Sequence, residues 1–149
     1  MTAPSVTECY LEHANITVKD IDDTVNFLQT AFPHFQIRGG GELDINGLQK
    51  RWCHIGTQTT YVALEEVKNI KSEETRCSYR DVGINHIGFV VPNIDEIIER
   101  LSNAGFREGY KAGNHQFRKR KYFYDSSNTE FEFIQYLSDK YSERNDYST

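Results

Sequence analysis

Shifted by 73 residues, this sequence falls onto itself. His13 lands on His86, Ile16 on Phe89, Val18 on Val91, and Asp20 on Asn93. Ile21 then lands on Ile94, Asp23 on Glu96, Val25 on Ile98, Leu28 on Leu101, and Ala31 on Ala104. The match keeps chemical type without a gap over roughly twenty residues, which makes it a structural repeat and not a chance echo. Two copies of so long a unit are too few for a solenoid array. They suit two halves of one domain that share a core.

Each copy reads in the same order. LEHANITV at 11–18 and INHIGFVV at 84–91 are short runs rich in β-branched residues, which predicts strands. Asp20 with Asp23, and Asn93 with Glu96, have the N-cap and N3 spacing of a helix start. Ile21, Val25 and Leu28 in the first copy, and Ile94, Ile98 and Leu101 in the second, form apolar stripes at helical spacing. Pro33 stops the first helix, and Gly105 suits the C′ position of the second. Three further strands are predicted per copy, near 34–38, 49–55 and 59–66, then near 106–110, 117–124 and 129–136. Gly39-Gly40-Gly41, Asn46-Gly47 and Asp125–Asn128 carry turn chemistry. The boundaries are therefore about 9–67 and 83–137, with a polar linker at about 68–82 and a loose tail at 138–149. The fold class is α+β.

Composition narrows the function classes. The 149 residues are 38% hydrophobic and 26% charged, with net charge −5, which argues against nucleic acid as the main partner. No apolar run is long enough to cross a membrane. The start MTAPSVTE lacks the pattern of a signal peptide. Cys9, Cys53 and Cys77 are an odd count without metal-type spacing, so reduced thiols in the cytoplasm are expected. Nine Tyr and nine Phe can fill a core, line a pocket or bury surface between subunits, and a homodimer is expected.

A His-bearing strand followed by a capped helix, twice over, resembles the vicinal-oxygen-chelate superfamily of glyoxalases, bleomycin-resistance proteins and dioxygenases. The resemblance covers about residues 9–137. It implies two βαβββ modules whose mixed sheets pair into a cup around one divalent metal, with ligands from the first and last strand of each module. INHIGFVV resembles the metal-histidine strand and places His86 as a ligand. YFYDSSNTEFEFIQY resembles the last hairpin and places Glu132 as a ligand, with Ser126 and Ser127 in place of the family's usual Pro and Gly. LEHANITV places His13 as a ligand. In TYVALEEV two registers remain open. If Leu64 corresponds to Phe133, the fourth position is Ala63, which cannot bind metal. If the register slips by two, it is Glu65, as ligand or as general base.

Two imidazoles and a carboxylate suit Zn²⁺, Ni²⁺, Fe²⁺ or Mn²⁺, and such a metal with open positions acts as a Lewis acid on a substrate oxygen pair. The resemblance thus implies a lyase, isomerase or dioxygenase acting on a small oxygen-rich molecule. Two alternatives stand beside it: a metal-free sequestering module like the bleomycin-resistance proteins, and a thiol-transfer enzyme like the fosfomycin-resistance group. Tyr61 and Trp52 either line the pocket or pack the core. In the run Arg118–Lys121, Arg120 either faces the cup to hold an anion or belongs to a solvated strand. His34, His54 and His115 have no repeat partner and read as surface or loop histidines.

Overall fold

The computed structural model describes residues 9–68 and 77–148. It contains two four-stranded mixed sheets. In the first module β1 is His13–Val18, followed by α1 (Ile21–Ala31), β2 (Gln36–Ile45), β3 (Leu48–Gly56) and β4 (Tyr61–Val67). In the second β5 is His86–Val90, followed by α2 (Ile94–Asn103), β6 (Arg107–Glu108), β7 (Arg118–Tyr124) and β8 (Glu130–Tyr136). The sheet orders are β1-β4-β3-β2 and β5-β8-β7-β6, so the first strand of each module lies parallel to its last. This is the βαβββ plan twice, as the repeat implied. Among the described residues no helix is long and apolar enough to cross a membrane.

The helix starts follow their sequence signals. Asp20 Oδ1 accepts the Asp23 N–H at 3.1 Å, and Asn93 accepts the Asp95 N–H at 3.1 Å. A second cap comes from the sheet in both modules. Glu66 Oε2 accepts the Ile21 N–H at 3.0 Å, and Gln135 Oε1 accepts the Ile94 N–H at 2.9 Å. Each last strand thus satisfies one orphan donor at the start of its own module's helix. Gly105, at φ 82, ends α2 while the Phe106 N–H reaches back to Leu101 O at 3.0 Å.

The core is one body shared by both modules. It takes the inward faces of both last strands, Val62 and Leu64 with Phe131 and Phe133, together with one stripe of each helix. Phe27 of α1 packs on Phe131 at 5.0 Å and edge-on to Phe106 at 4.9 Å, so the first helix lies against the second sheet. The Arg100 guanidinium of α2 donates to the Thr30 and Ala31 carbonyls at 3.0 and 2.8 Å, capping the end of α1. The Thr24 hydroxyl donates to Asp125 Oδ2 at 2.7 Å in a buried contact between the modules.

Three expectations change. Gly39-Gly40-Gly41 is not a turn. It lies inside β2, past a register shift between Ile37 and Gly39, opposite Trp52. A Cβ on Gly41 would stand 3.0 Å from the Trp52 indole nitrogen, so the glycines let the ring lie flat over the strand. The turn is Asn46-Gly47, with φ 55 and 82, joining Ile45 to Leu48 in a two-residue hairpin. In the second module the strand expected near 106–110 shrinks to two residues, after which the Gly109 N–H donates to Tyr122 O at 2.7 Å and the Tyr110 N–H to Glu130 Oε1 at 2.8 Å. The tail expected to be loose carries a short helix, α3 (Tyr141–Arg144), pinned where Arg118 donates to the Arg144 and Asp146 carbonyls at 3.1 and 2.9 Å. The expected linker falls in part at 69–76, outside the described residues.

Candidate functional site

Strand alternation sends one face of each sheet to the core and the other away from it. On the outer face of the second sheet, His86 and Glu132 meet. His86 begins β5, and Glu132 sits on β8 opposite Gly88, one step along the parallel ladder. A Cβ at Gly88 would stand in ordinary contact, 3.6 Å from Glu132 Oε2. His86 Nε2 lies 3.0 Å from Glu132 Oε2. The Tyr122 hydroxyl, on the neighbouring strand, donates to Glu132 Oε1 at 2.6 Å. Burial first, and then the bond to Glu132, push the Tyr122 phenol above its ordinary range, so it remains a donor. Glu132 is only 7% exposed, a carboxylate held among aromatic groups with its Oε2 turned to the imidazole.

The ladder also decides the register left open by the sequence. Ile16 pairs with Leu64 as Phe89 pairs with Phe133. The counterpart of Glu132 is therefore Ala63, and the counterpart of Glu130 is Tyr61. From first strand to last, His13 to Ala63 spans 50 residues and His86 to Glu132 spans 46. The four extra residues of the first module fall between its first and last strands, where β2 outgrows β6.

Glu65 lies one outward step beyond Ala63. It accepts from Lys50 Nζ at 3.1 Å and from Asn15 Nδ2 at 3.3 Å. Lys50, then Asn15, hold this carboxyl below its usual range, which makes it a weaker proton acceptor.

His13 stands on the outer face of the first sheet. Its Nδ1 lies 3.0 Å from Glu12 Oε2, and its ring stacks on Tyr61 at 4.7 Å. Tyr61 also stacks on His54 at 4.7 Å, His54 meets Trp52 edge-on at 5.0 Å, and Arg38 lies 4.2 Å over the Tyr61 ring. His54 thus belongs to an aromatic row that its lack of a repeat partner had hidden. Arg120 shares the outer face of β7 with Tyr122, and its charge opposes the upward push on that phenol. Among the described residues its Nε is buried with no hydrogen-bond partner.

The donor chemistry of His86 and Glu132, one nitrogen and one oxygen 3.0 Å apart, fits two positions around a divalent metal. Among the described residues no group of three or more His, Cys, Asp or Glu side chains is gathered to hold one. His13 is therefore not brought into the His86–Glu132 pair. Sequence reasoning passed over Tyr122, Glu130 and Tyr79, which surround that pair. Strand alternation signals Glu130, two residues before Glu132 on the same face. Tyr79 lies in the connecting segment and carries no sequence signal.

Comparison with known proteins agrees with this architecture. A glyoxalase family protein from Bacillus cereus superposes with TM-score 0.70 at 13% identity, covering 90% of this chain and 100% of its own. A glyoxalase/bleomycin resistance protein/dioxygenase domain from Frankia gives TM-score 0.69 at 19% identity, covering 87% and 99%. A fosfomycin resistance protein from Listeria monocytogenes, solved with Mn(II) and sulfate, gives 0.58 at 22% identity, covering 94% and 98%. No curated protein sequence matches the chain. The sequence pattern of the glyoxalase/bleomycin resistance protein/dioxygenase superfamily matches residues 12–124, well over half the chain, and with two βαβββ modules in place the protein belongs to that superfamily.

Proposed function

We propose that the protein is a metal-dependent enzyme of the glyoxalase-like group, a lyase, isomerase or dioxygenase acting on a small oxygen-rich substrate. The observation that carries this reading is the His86 Nε2–Glu132 Oε2 approach at 3.0 Å, backed by Tyr122. His86, Glu132 and His13 would hold one divalent ion such as Zn²⁺, Ni²⁺, Fe²⁺ or Mn²⁺. When bound, that ion would supply Lewis acidity toward neighbouring substrate oxygens. Tyr122 fixes one Glu132 oxygen and leaves the other free to ligate. Arg120, whose Nε has no hydrogen-bond partner among the described residues, would receive an anionic group of the substrate. Sulfate and Mn(II) in the Listeria protein are consistent with such a pairing of anion and metal in this fold. Tyr61 and its stacked neighbours would line the far wall. Glu65, held ionised by Lys50, suits orienting a polar substrate group better than accepting its proton.

One chain brings His86 and Glu132 together without His13, so the proposal includes a homodimer in which His13 comes from a second copy. Metal analysis of protein purified without chelator should find a transition metal near one per chain. Glu132→Gln keeps the side-chain volume but replaces a carboxylate with a poor ligand. It should cost at least the roughly 10–100-fold in affinity typical of losing an outer partner. Co-expressing His13→Ala chains with Glu132→Gln chains should restore part of the metal content, because a mixed dimer rebuilds one intact site. Absence of metal in the parent would instead favour the sequestering reading, for which Ala63 and the His13–Tyr61–His54 row are the supporting features.

A further inference from the structure

The outer face of the first sheet holds a hollow of about 200 Å³ across β2, β3 and β4. Its apolar walls are Trp52, Leu43 and Ile45. Trp52 pairs with Gly41 across the sheet, and its indole lies over Gly39 and Gly41, where any side chain would sit against the ring. The ring is half-buried, with one face seated on the strand and the other turned to the hollow. Leu43 and Ile45 are each 50% exposed, two apolar side chains grouped at the lip of this hollow and open to solvent.

The other end of the hollow is polar. Lys50 Nζ donates to Glu65 Oε2 at 3.1 Å, and Asn15 Nδ2 donates to Glu65 Oε1 at 3.3 Å. Arg51, which also borders the hollow, is held by Asp22 at 3.1 Å and Glu66 at 3.3 Å. Each cation thus has its carboxylate, so a charged ligand would meet repulsion beside every attraction. The Lys50–Glu65 pair still has capacity: an ammonium carries three donors, of which Glu65 takes one, and each carboxylate oxygen carries a second lone pair. A neutral group that accepts and donates side by side fits that edge. Size sets the rest, because the hollow is below the ~300 Å³ at which pockets for drug-sized molecules begin, so it takes one ring and not two. The second module has no equivalent. By the ladder, Arg120 stands at the position of Trp52 and Ile134 at that of Glu65.

We propose that this hollow binds a neutral, single-ring aromatic molecule, its ring on the open face of Trp52 and a carboxamide or similar donor–acceptor group on the Lys50–Glu65 pair. Stacking on an indole favours a flat ring over a saturated one of equal size. That this ring belongs to the substrate of the proposed enzyme rests on the metal-dependent reading. The hollow itself is complete within one chain and uses none of the three proposed ligands, so the two ideas fail separately.

The test uses the full chain treated with chelator. Trp52 is the only tryptophan in the sequence, so its emission reports on this hollow alone. Benzamide is the probe, cyclohexanecarboxamide the control without a flat ring, and benzoate the control with a charge. Benzamide should change the Trp52 emission in a saturable way. Cyclohexanecarboxamide should bind about 2–10-fold more weakly, the usual gain from a stacked ring. Benzoate, which cannot donate and brings its charge to Glu65, should also bind more weakly than benzamide. Read by calorimetry, Trp52→Leu should weaken benzamide by a similar factor, and Lys50→Met by about 2–10-fold, the net gain from one hydrogen bond. A response that stays linear in benzamide, equal binding of the two amides, or tighter binding of benzoate would each overturn the proposal. The ligand series needs no variant, so the test holds even where Trp52→Leu fails to fold. Benzamide bound only after Zn²⁺ is added would place the ring at the metal and overturn the hollow. Benzamide bound by a chain that takes up no Zn²⁺ would uphold the hollow and sink the metal reading.

Discussion

The two modules share a backbone plan but differ on their outer faces. Toward the core they are near copies: Val62 and Leu64 match Phe131 and Phe133, and Glu66 and Gln135 cap equivalent helix starts. Away from the core they diverge. The second module sets carboxylates Glu130 and Glu132 against His86. The first sets Tyr61 and Ala63 in those places and stacks rings against His13. Core positions are held by volume and burial, and a change there is felt by the whole fold. Outer positions answer only to what they bind. A duplicated scaffold can therefore keep its core while one copy becomes acidic and the other aromatic.

The shared core is the feature whose loss should cost most. Phe133 and Leu64 are equivalent, and both are fully buried. Phe133→Ala should destabilise by about 3–5 kcal/mol and Leu64→Ala by about 2–5 kcal/mol, read from urea unfolding of the full chain. Because the two sit in one cluster, either variant should unfold in a single transition. Two transitions with only one displaced would mean that the modules fold as separate units and do not share one core.

A smaller effect is expected where the modules interlock. Thr24→Val keeps the shape of the side chain but leaves Asp125 Oδ2 without its donor in a buried place. Asp125 is already pushed above the usual carboxyl range, chiefly by burial. The loss should be about 1–3 kcal/mol by thermal or urea denaturation. A cost near zero would show that the Thr24–Asp125 contact adds nothing to the joint, which apolar packing and the Arg100 hydrogen bonds would then hold.

The smallest effect concerns the outer face of the first module. Lys50, then Asn15, hold the Glu65 carboxyl below its ordinary value of 4.5. Ionisation is thus favoured by folding. That contribution is complete above pH 4.5 and is lost as pH falls through the lower, folded value. Lys50→Met should flatten the acid limb of the stability curve in this window and leave the neutral region little changed, because the pair is partly solvated. An unchanged acid limb would remove Glu65 from any electrostatic role.

Much of this was legible in the sequence because it depends on local pattern. The repeat, the two capped helices, the Asn46-Gly47 hairpin and the strands bearing His13, His86 and Glu132 follow from spacing and residue type, which act over a few neighbours. The glycine run misled because its role is set by Trp52, a partner across the sheet. The short β6 and the pinned tail likewise depend on what lies over them. Only the tertiary structure decided the ladder register that leaves Ala63 opposite its partner where the second module has Glu132. It also decided the placing of Tyr79 against His86 and Glu130. Register and long-range contact are settled by the best packing of the whole core, where a shift of one residue turns every side chain to the wrong face. The chain alone thus named the fold and the residue types of a proposed metal site, while the assembled core determined which of those residues stand together.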